Sequence, residues 1–187
     1  MQRHIVVTGI PASGKSTIGH AVAAALGLPM LDKDDILEFL FTTEGIGNAE
    51  WRKRLSRKAD ELLEHRALQT GSAVLTSWWR HPASQHDTGT PVEWVASLPG
   101  VVLEIYCCCS PEVATKRFLS RQRHEGHLDQ LKTHSELLAS FQQSADFGPL
   151  GLGLIIEVNT ERSVDLSSLI AEIELALTCQ NKESRLA

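Results

Sequence analysis

The sequence predicts an α/β fold in which helices cover both faces of a parallel sheet. Apolar runs typical of buried strands alternate with segments of helical period along the 187 residues. The first of these runs leads into Gly9-Ile10-Pro11-Ala12-Ser13-Gly14-Lys15-Ser16, which fills every position of the phosphate-binding pattern G-x-x-x-x-G-K-[ST]. A strand, a glycine loop and a helix in this order predict a three-layer α/β/α P-loop NTPase fold.

Composition predicts one domain, over residues 1–179, with a flexible tail over 180–187. The net charge of −5 provides no global basic field, so we expect no nucleic-acid partner. No stretch approaches the roughly 20 apolar residues of a membrane span, and the chain enters its first strand directly. We therefore expect a cytoplasmic protein without a membrane partner, as a monomer or a homodimer.

Local patterns define the first half of the chain. A β-branched strand over 4–8 precedes the loop, and Ile18, Val22 and Leu26 form an apolar stripe on the helix after it. Gly27 and Pro29 end that helix. A second strand over 29–32 and helices over about 34–41 and 48–69 follow.

The second half continues the alternation. Strands are predicted over 71–77, 101–108 and 154–158, and a loop over 78–90 covers the catalytic face. A helix starts at Ser110-Pro111 and the last helix at Ser163. Three consecutive cysteines end the strand over 101–108, where a buried strand end is favoured over a metal site because neighbouring side chains point to opposite faces.

The glycine loop predicts the site of a nucleoside triphosphate with Mg²⁺. Gly9 and Gly14 let backbone N–H groups approach the phosphates, and Lys15 reaches the terminal ones. The Ser16 hydroxyl is a magnesium ligand. The predicted ATP-binding residues here are Gly9, Pro11, Ala12, Ser13, Gly14, Lys15, Ser16 and Thr17.

Paired carboxylates follow the second strand. Asp32 and Asp34 point to the same side of an extended segment, at the sheet edge beside the glycine loop. One carboxylate can then hold a magnesium water while the other takes the proton from an attacking hydroxyl, and Asp34 is the better base. The alternative is a helix N-terminus in which Asp32 or Asp34 is a cap, with Asp35 as a spare cap.

Residues 9–38 resemble the opening of the shikimate kinase and gluconate kinase group of small P-loop kinases, including the aspartates seventeen and nineteen residues after Lys15. Arg117-x-x-x-Arg121-x-x-His124 is similar to the lid of gluconate kinases. The resemblance implies a five-stranded sheet in the order 2-3-1-4-5, a substrate-binding helical insertion over about 34–70 and a helical lid over about 117–132.

The resemblance also implies roles for individual residues. Ser16 and Asp32 would share Mg²⁺, Asp34 would bind and deprotonate the acceptor hydroxyl, and the backbone at Asn159 would lie against adenine. Lid arginines would cover the phosphates, since guanidinium groups grip two phosphate oxygens at once. The predicted catalytic residues are Lys15, Asp32, Asp34, Arg117, Arg121 and Arg123, although any single lid arginine could equally be a surface charge.

The sequence departs from the group where the acceptor binds. Ser77-Trp78-Trp79-Arg80 replaces the glycine triplet that holds shikimate, and Asp35-Ile36 replaces the His-Pro of gluconate kinases. Trp78 could stack on an acceptor ring or pack in the core. The stretch Lys33-Asp34-Asp35 also resembles the Arg-Asp-Asp of polynucleotide 5′-kinases, although Leu37 stands where those enzymes have an arginine.

We therefore predict an ATP-dependent kinase that phosphorylates a hydroxyl of a small metabolite, nucleoside or antibiotic. Two alternatives remain open. One is a polynucleotide 5′-hydroxyl kinase, supported by the basic stretch at 52–58. The other is a non-catalytic module in which ATP holds the lid for a partner.

Overall fold

The computed structural model describes residues 2–183, with side chains described to residue 179. The strands are β1 (Arg3–Thr8), β2 (Met30–Asp32), β3 (Ala73–Thr76), β4 (Val101–Cys108) and β5 (Leu154–Asn159). The helices are α1 (Lys15–Leu26), α2 (Lys33–Glu44), α3 (Ala49–Thr70), α4 (Pro111–Ser120), α5 (His134–Ala145) and α6 (Leu166–Glu183). Short 3₁₀ helices cover Glu93–Ser97, Glu125–His127 and Asp129–Leu131.

The five strands form one parallel sheet in the order β2-β3-β1-β4-β5, which confirms the predicted fold and strand order. β1 lies at the centre, where it pairs with β3 on one side and β4 on the other. Because all strands run in the same direction, their carboxyl ends lie at one edge of the sheet. The glycine loop and the end of β2 therefore lie at this edge.

Alternation along β1 divides the core into two layers. Ile5 and Val7 face the layer formed with α1 and α6, whereas Val6 faces the layer formed with α2 and α3. A third cluster, centred on Phe118 and Phe141, joins α4 to α5. Helices therefore cover both faces of the sheet, as the near-continuous apolar strands predict.

The helices differ from the sequence prediction mainly in α5 and α6. Helix α5 was not predicted, although Thr133 and Glu136 form a capping box that marks its start. Helix α6 begins at Leu166 and not at Ser163, because the Asp165 carboxylate accepts hydrogen bonds from the backbone N–H groups of Ser167 and Ser168. It continues to Glu183, and residues 184–187 of the predicted tail lie outside the described residues.

A buried carboxylate anchors the strand that precedes the glycine loop. Glu104 on β4 is fully buried and accepts a hydrogen bond of 2.7 Å from the Thr8 hydroxyl. It also accepts from the backbone N–H groups of residues 150–152. Since each buried lone pair is used, the charge is compensated by hydrogen bonds and fixes Thr8, the residue next to Gly9.

His4 gives the stability of the protein a predictable pH dependence. Its side chain is fully buried on β1, and burial lowers its pKa below the usual 6.5. The folded state therefore favours the neutral ring, so this contribution to stability is complete above pH 6.5 and is lost as the pH falls through the folded-state pKa. The loss can reach about 1.4 kcal/mol per pH unit.

Urea unfolding between pH 5 and pH 8 tests this expectation. The His4→Gln variant should show a shallower decline in the free energy of unfolding on acidification than the unmodified protein. The His65→Gln variant, which changes an exposed histidine, should keep the original decline. An unchanged slope in His4→Gln would contradict the assignment.

Candidate active site

The glycine loop forms a cradle between β1 and α1. Gly9 and Gly14 have φ angles of 126° and 91°, in the region that favours glycine. A Cβ at Gly9 would lie 2.5 Å from the Cys107 carbonyl oxygen and 2.8 Å from the Ser13 hydroxyl. The Ser13 hydroxyl is buried without a hydrogen-bond partner among the described residues. This close approach and the start of α1 give the concave, N–H-lined shape that binds phosphate.

Lys15 lies folded over this cradle. Its ammonium group donates hydrogen bonds to the carbonyl oxygens of Gly9, at 3.0 Å, and Ile10, at 2.7 Å. Burial lowers the pKa of Lys15 to about 8. Because both partners are neutral carbonyls, the positive charge is held at the loop and is not neutralised by them.

Ser16 and Asp32 meet beside the cradle. The Ser16 hydroxyl donates a hydrogen bond of 2.8 Å to Asp32 Oδ2, and Asp32 Oδ1 accepts from the Asp34 backbone N–H at 2.9 Å. Asp32 therefore caps α2 and faces the loop at once, whereas Asp35 is exposed and is not the cap. A hydroxyl and a carboxylate are oxygen donors of the kind that Mg²⁺ prefers, so this pair fits the predicted metal.

The Asp34 carboxylate faces the same cleft from the first turn of α2. It forms an ion pair of 2.5 Å with Arg123, and its side chain is 51% exposed. Burial raises the pKa of Asp34, but the nearby positive charges, above all the Arg123 guanidinium, outweigh this effect and hold the pKa below its usual value. Asp34 is therefore ionised at neutral pH and accessible, two properties that a proton acceptor needs.

Residues after α4 form a segment that we call the lid segment, residues 121–132. Asp129 binds three of its cations, since it lies 3.6 Å from Arg121, and 3.3 Å from both Arg123 and Lys132. Burial, with Arg123 adding repulsion, lowers the pKa of Arg121 to about 10. Arg121 remains charged at neutral pH, 4.1 Å from the centre of the Phe118 ring.

Arg117 is separated from the other two arginines. It lies on α4 and donates a hydrogen bond of 2.8 Å to the Thr160 carbonyl oxygen, which places it at the end of β5. The Thr160 hydroxyl in turn donates to the Ser13 carbonyl oxygen at 2.6 Å. The three predicted arginines therefore reach the cleft from two positions: Arg117 beside the glycine loop, and Arg121 and Arg123 opposite it.

A single cleft of about 1570 Å³ joins these groups. One end holds the cradle, and the other is lined by α2, α3 and the chain after β3. Its apolar walls include Leu37, Trp78, Pro91 and Trp94, and its basic residues include Arg52, Lys53, Arg57 and Arg80. The volume exceeds that of a typical small-molecule site and allows two ligands side by side.

The structure places the predicted site residues as follows. Pro11, Ala12, Gly14, Lys15, Ser16, Thr17, Asp32, Asp34, Arg117, Arg121 and Arg123 line the cleft, Gly9 lines an adjoining small cavity, and Ser13 is buried beneath the loop. Asn159 does not line the cleft, whereas its neighbour Thr160 does, and the Asn159 side chain accepts a hydrogen bond from the Glu161 backbone N–H. The predicted contact of the Asn159 backbone with adenine stays a prediction. Trp78 lines the cleft, whereas Trp79 is a core residue whose indole N–H donates to the Val7 carbonyl oxygen.

Three contributors to the site were not among the predicted site residues. Thr160 holds the glycine loop, and Arg52 brings a partly buried guanidinium from α3. His127 on the lid segment is buried against Glu38 of α2. Their signals in the sequence were positional: Arg52 lies in the basic stretch at 52–58, His127 in the predicted lid over 117–132, and Thr160 beside Asn159.

The sheet order and the cradle between β1 and α1 together define a P-loop nucleoside-triphosphate-binding protein. The chain belongs to the AAA_33 family, described as an AAA domain, whose profile matches residues 5–146. Within the residues 2–183, no helix is long and apolar enough to cross a membrane.

Curated proteins with a similar sequence include shikimate kinases. The chain is 29% identical over 99 residues to a shikimate kinase of Corynebacterium efficiens, a match that covers 49% of this chain and 56% of that protein. It spans about half the length of the curated shikimate kinases it matches.

Solved structures extend the likeness over at least 95% of the chain. A candidate kinase of Chloroflexus aurantiacus is 26% identical, with a TM-score of 0.75, over 95% of this chain and 97% of that one. A gluconokinase of Sinorhizobium meliloti is 18% identical, covers 98% of this chain and 95% of that one with a TM-score of 0.56, and shares the fold. The predicted resemblance to the shikimate kinase and gluconate kinase group is confirmed.

Proposed function

We propose that this protein is an ATP-dependent kinase that transfers the γ-phosphoryl group to a hydroxyl of a small molecule, with Asp34 as the base. The observation that carries the proposal is the meeting of the Ser16–Asp32 pair, Lys15 and the ionised Asp34 in one cleft. The similar proteins named above are a shikimate kinase, a gluconokinase and a candidate kinase without a named acceptor.

Catalysis in such a site consists of positioning and charge compensation. The cradle and Lys15 would hold the polyphosphate, and Ser16 with Asp32 would hold Mg²⁺, which compensates phosphate charge when bound. Arg121 and Arg123 would add positive charge from the lid side. The Arg123 guanidinium would first leave the Asp34 carboxylate and bind an anionic partner. A carboxylate oxygen of Asp34 would then accept the proton of the attacking hydroxyl.

The acceptor end of the cleft supports a small, polar acceptor with an apolar face. Trp78 and Trp94 supply flat surfaces for a ring or a sugar, and the chain after β3 lacks a glycine triplet. We therefore propose an acceptor other than shikimate, drawn from metabolites, nucleosides or antibiotics.

One observation favours polynucleotide 5′-kinase activity as a second candidate. Arg52, Lys53 and Arg57 on α3 line the acceptor end of the cleft and could contact a phosphate backbone. This candidate requires oligonucleotide binding that weakens steeply with salt, with a log–log slope of several units. Binding that is flat between about 50 and 200 mM salt excludes it.

An acceptor screen tests the main proposal. The protein with Mg²⁺ and a non-hydrolysable ATP analogue is mixed with hydroxylated compounds, and thermal shift identifies those that bind. ADP release with ATP is then measured for each compound that binds, and a genuine acceptor should appear as its phosphate ester. The non-catalytic module would be favoured by two results together: compounds bind without any ADP release, and the Asp34→Asn variant keeps the biological effect of the unmodified protein.

A further inference from the structure

Helix α2 contacts the lid segment at two points on one face. Asp34 and Glu38 are one helical turn apart, so both side chains project from the same side. Asp34 pairs with Arg123, and Glu38 Oε1 lies 2.9 Å from His127 Nε2. The two lid residues have the same spacing of four residues as their partners, so two successive turns of α2 engage the lid segment.

The second contact orients a buried ring. The His127 side chain is 1% exposed, whereas that of Glu38 is 40% exposed. Burial, with the Arg123 charge adding to it, lowers the pKa of His127, which favours the neutral ring at physiological pH. A neutral ring that faces a carboxylate donates its Nε2 proton, because an ionised carboxylate only accepts. Glu38 therefore fixes both the tautomer and the orientation of His127.

Phe41, also on α2, provides a platform for the same part of the lid segment. Its ring centre lies 5.1 Å from that of His127, in an edge-on arrangement, and 5.2 Å from that of His124. A Cβ at Gly126 would approach the Phe41 ring to 2.5 Å, so position 126 favours glycine. The segment is therefore fitted to α2 by shape as well as by charge.

We propose that Glu38 is a positioning residue which, through His127, holds the lid segment closed so that Arg121 and Arg123 lie over the cleft. The carboxylate that fixes the lid and the carboxylate of Asp34 are on the same rigid helix. Lid position and base position are thus coupled by geometry. The use of this coupling in phosphoryl transfer rests on the proposed function, whereas the docking of the lid does not.

Limited trypsin digestion measures the docking directly, because the lid segment contains the cleavage sites Arg121, Arg123 and Lys132. The Glu38→Ala variant should be cut within 121–132 about tenfold faster, since the lid loses a charge-assisted hydrogen bond. The Glu38→Gln variant keeps an oxygen that accepts from His127 and should stay within about threefold of the unmodified protein. Glu172→Ala, an exposed change on α6, is the matched control.

Binding of a non-hydrolysable ATP analogue gives a second readout. Glu38→Ala should raise its Kd about fivefold or more, while Glu38→Gln and Glu172→Ala leave it within about twofold. Thermal unfolding of all three variants checks that each is folded. The proposal is overturned if Glu38→Ala is cut no faster than Glu172→Ala, or if Glu38→Gln behaves like Glu38→Ala.

These outcomes separate the two proposals. Rapid cleavage of Glu38→Ala in a protein that phosphorylates no acceptor would support the lid contact and reject the kinase. Phosphoryl transfer to an acceptor, with Glu38→Ala cut no faster than the unmodified protein, would support the kinase and reject the lid contact.

Discussion

Asp34→Asn should lower kcat for phosphoryl transfer by about 10²-fold or more, while the Kd for ATP rises only about as much as in Glu38→Ala, because each change weakens one contact between α2 and the lid segment. The amide has the shape of the carboxylate but cannot accept the proton of the attacking hydroxyl. Asp34 does not contact the glycine loop, and its partner is Arg123 on the lid segment, so the nucleotide keeps its main contacts. Steady-state kinetics with an acceptor from the screen and a separate measurement of ATP binding provide both quantities.

Asp35→Asn is the matched control for this change. Asp35 is the next residue in the first turn of α2, it is exposed, and among the described residues its side chain forms no hydrogen bond or ion pair with the lid segment. Its kcat should stay within about twofold of the unmodified enzyme. If Asp34→Asn kept most of its activity, Asp34 would not be the base, and a non-catalytic role for the aspartate pair would be favoured.

Lys15→Met should reduce both ATP affinity and transfer, with a loss in kcat/KM of about 10³-fold. The side chains are similar in length, so the change removes a charge without opening a cavity. That charge lies over the cradle on two neutral carbonyls, and phosphate oxygens are the partners that can compensate it. Isothermal calorimetry with ATP and kinetics with an acceptor check the two effects separately.

The pH dependence of ATP binding provides a second test of the role of Lys15. In the free protein burial lowers the pKa of Lys15 to about 8, so the ammonium group loses its proton as the pH rises through about 8. The ATP affinity of the unmodified protein should therefore fall between about pH 7.5 and about pH 9, as Lys15 loses its proton. This fall should be absent in Lys15→Met. Lys116→Met, an exposed change on α4, should keep the unmodified profile, and a normal profile in Lys15→Met would contradict the assignment.

Much of the nucleotide end of the site could be predicted because its geometry depends on consecutive residues. The motif residues all lie within the continuous stretch 9–16: two glycines, the lysine and the serine. Their spacing therefore defines the cradle without reference to the rest of the fold. The aspartates at 32 and 34 were placed beside it by a general property of parallel sheets, whose strands end at one edge. Asp32 caps α2, as one of the two alternatives predicted, and it also accepts a hydrogen bond from Ser16, while its role at Mg²⁺ stays a prediction.

The lid and the acceptor end could not be predicted in the same way. Arg123 and His127 each lie 89 residues from the α2 side chain that they contact, and no local pattern indicates which carboxylate meets which cation. Helix α5, which packs against α4, was not predicted, although the capping box of Thr133 and Glu136 marks its start. Trp78 and Trp79 are neighbours on the chain, yet opposite side-chain directions put one in the cleft and the other in the core.

The amino-acid sequence alone therefore determined the α/β layering, the strand order implied by the resemblance, and the phosphate cradle with its oxygen donors. Short-range backbone geometry and apolar period are sufficient for these features, since both are written in adjacent residues. Tertiary structure decided which arginines face Asp34, which histidine is buried against α2, and what lines the acceptor end of the cleft. Those arrangements depend on packing between elements distant in the chain, where small differences in burial and ion pairing select among many possible partners.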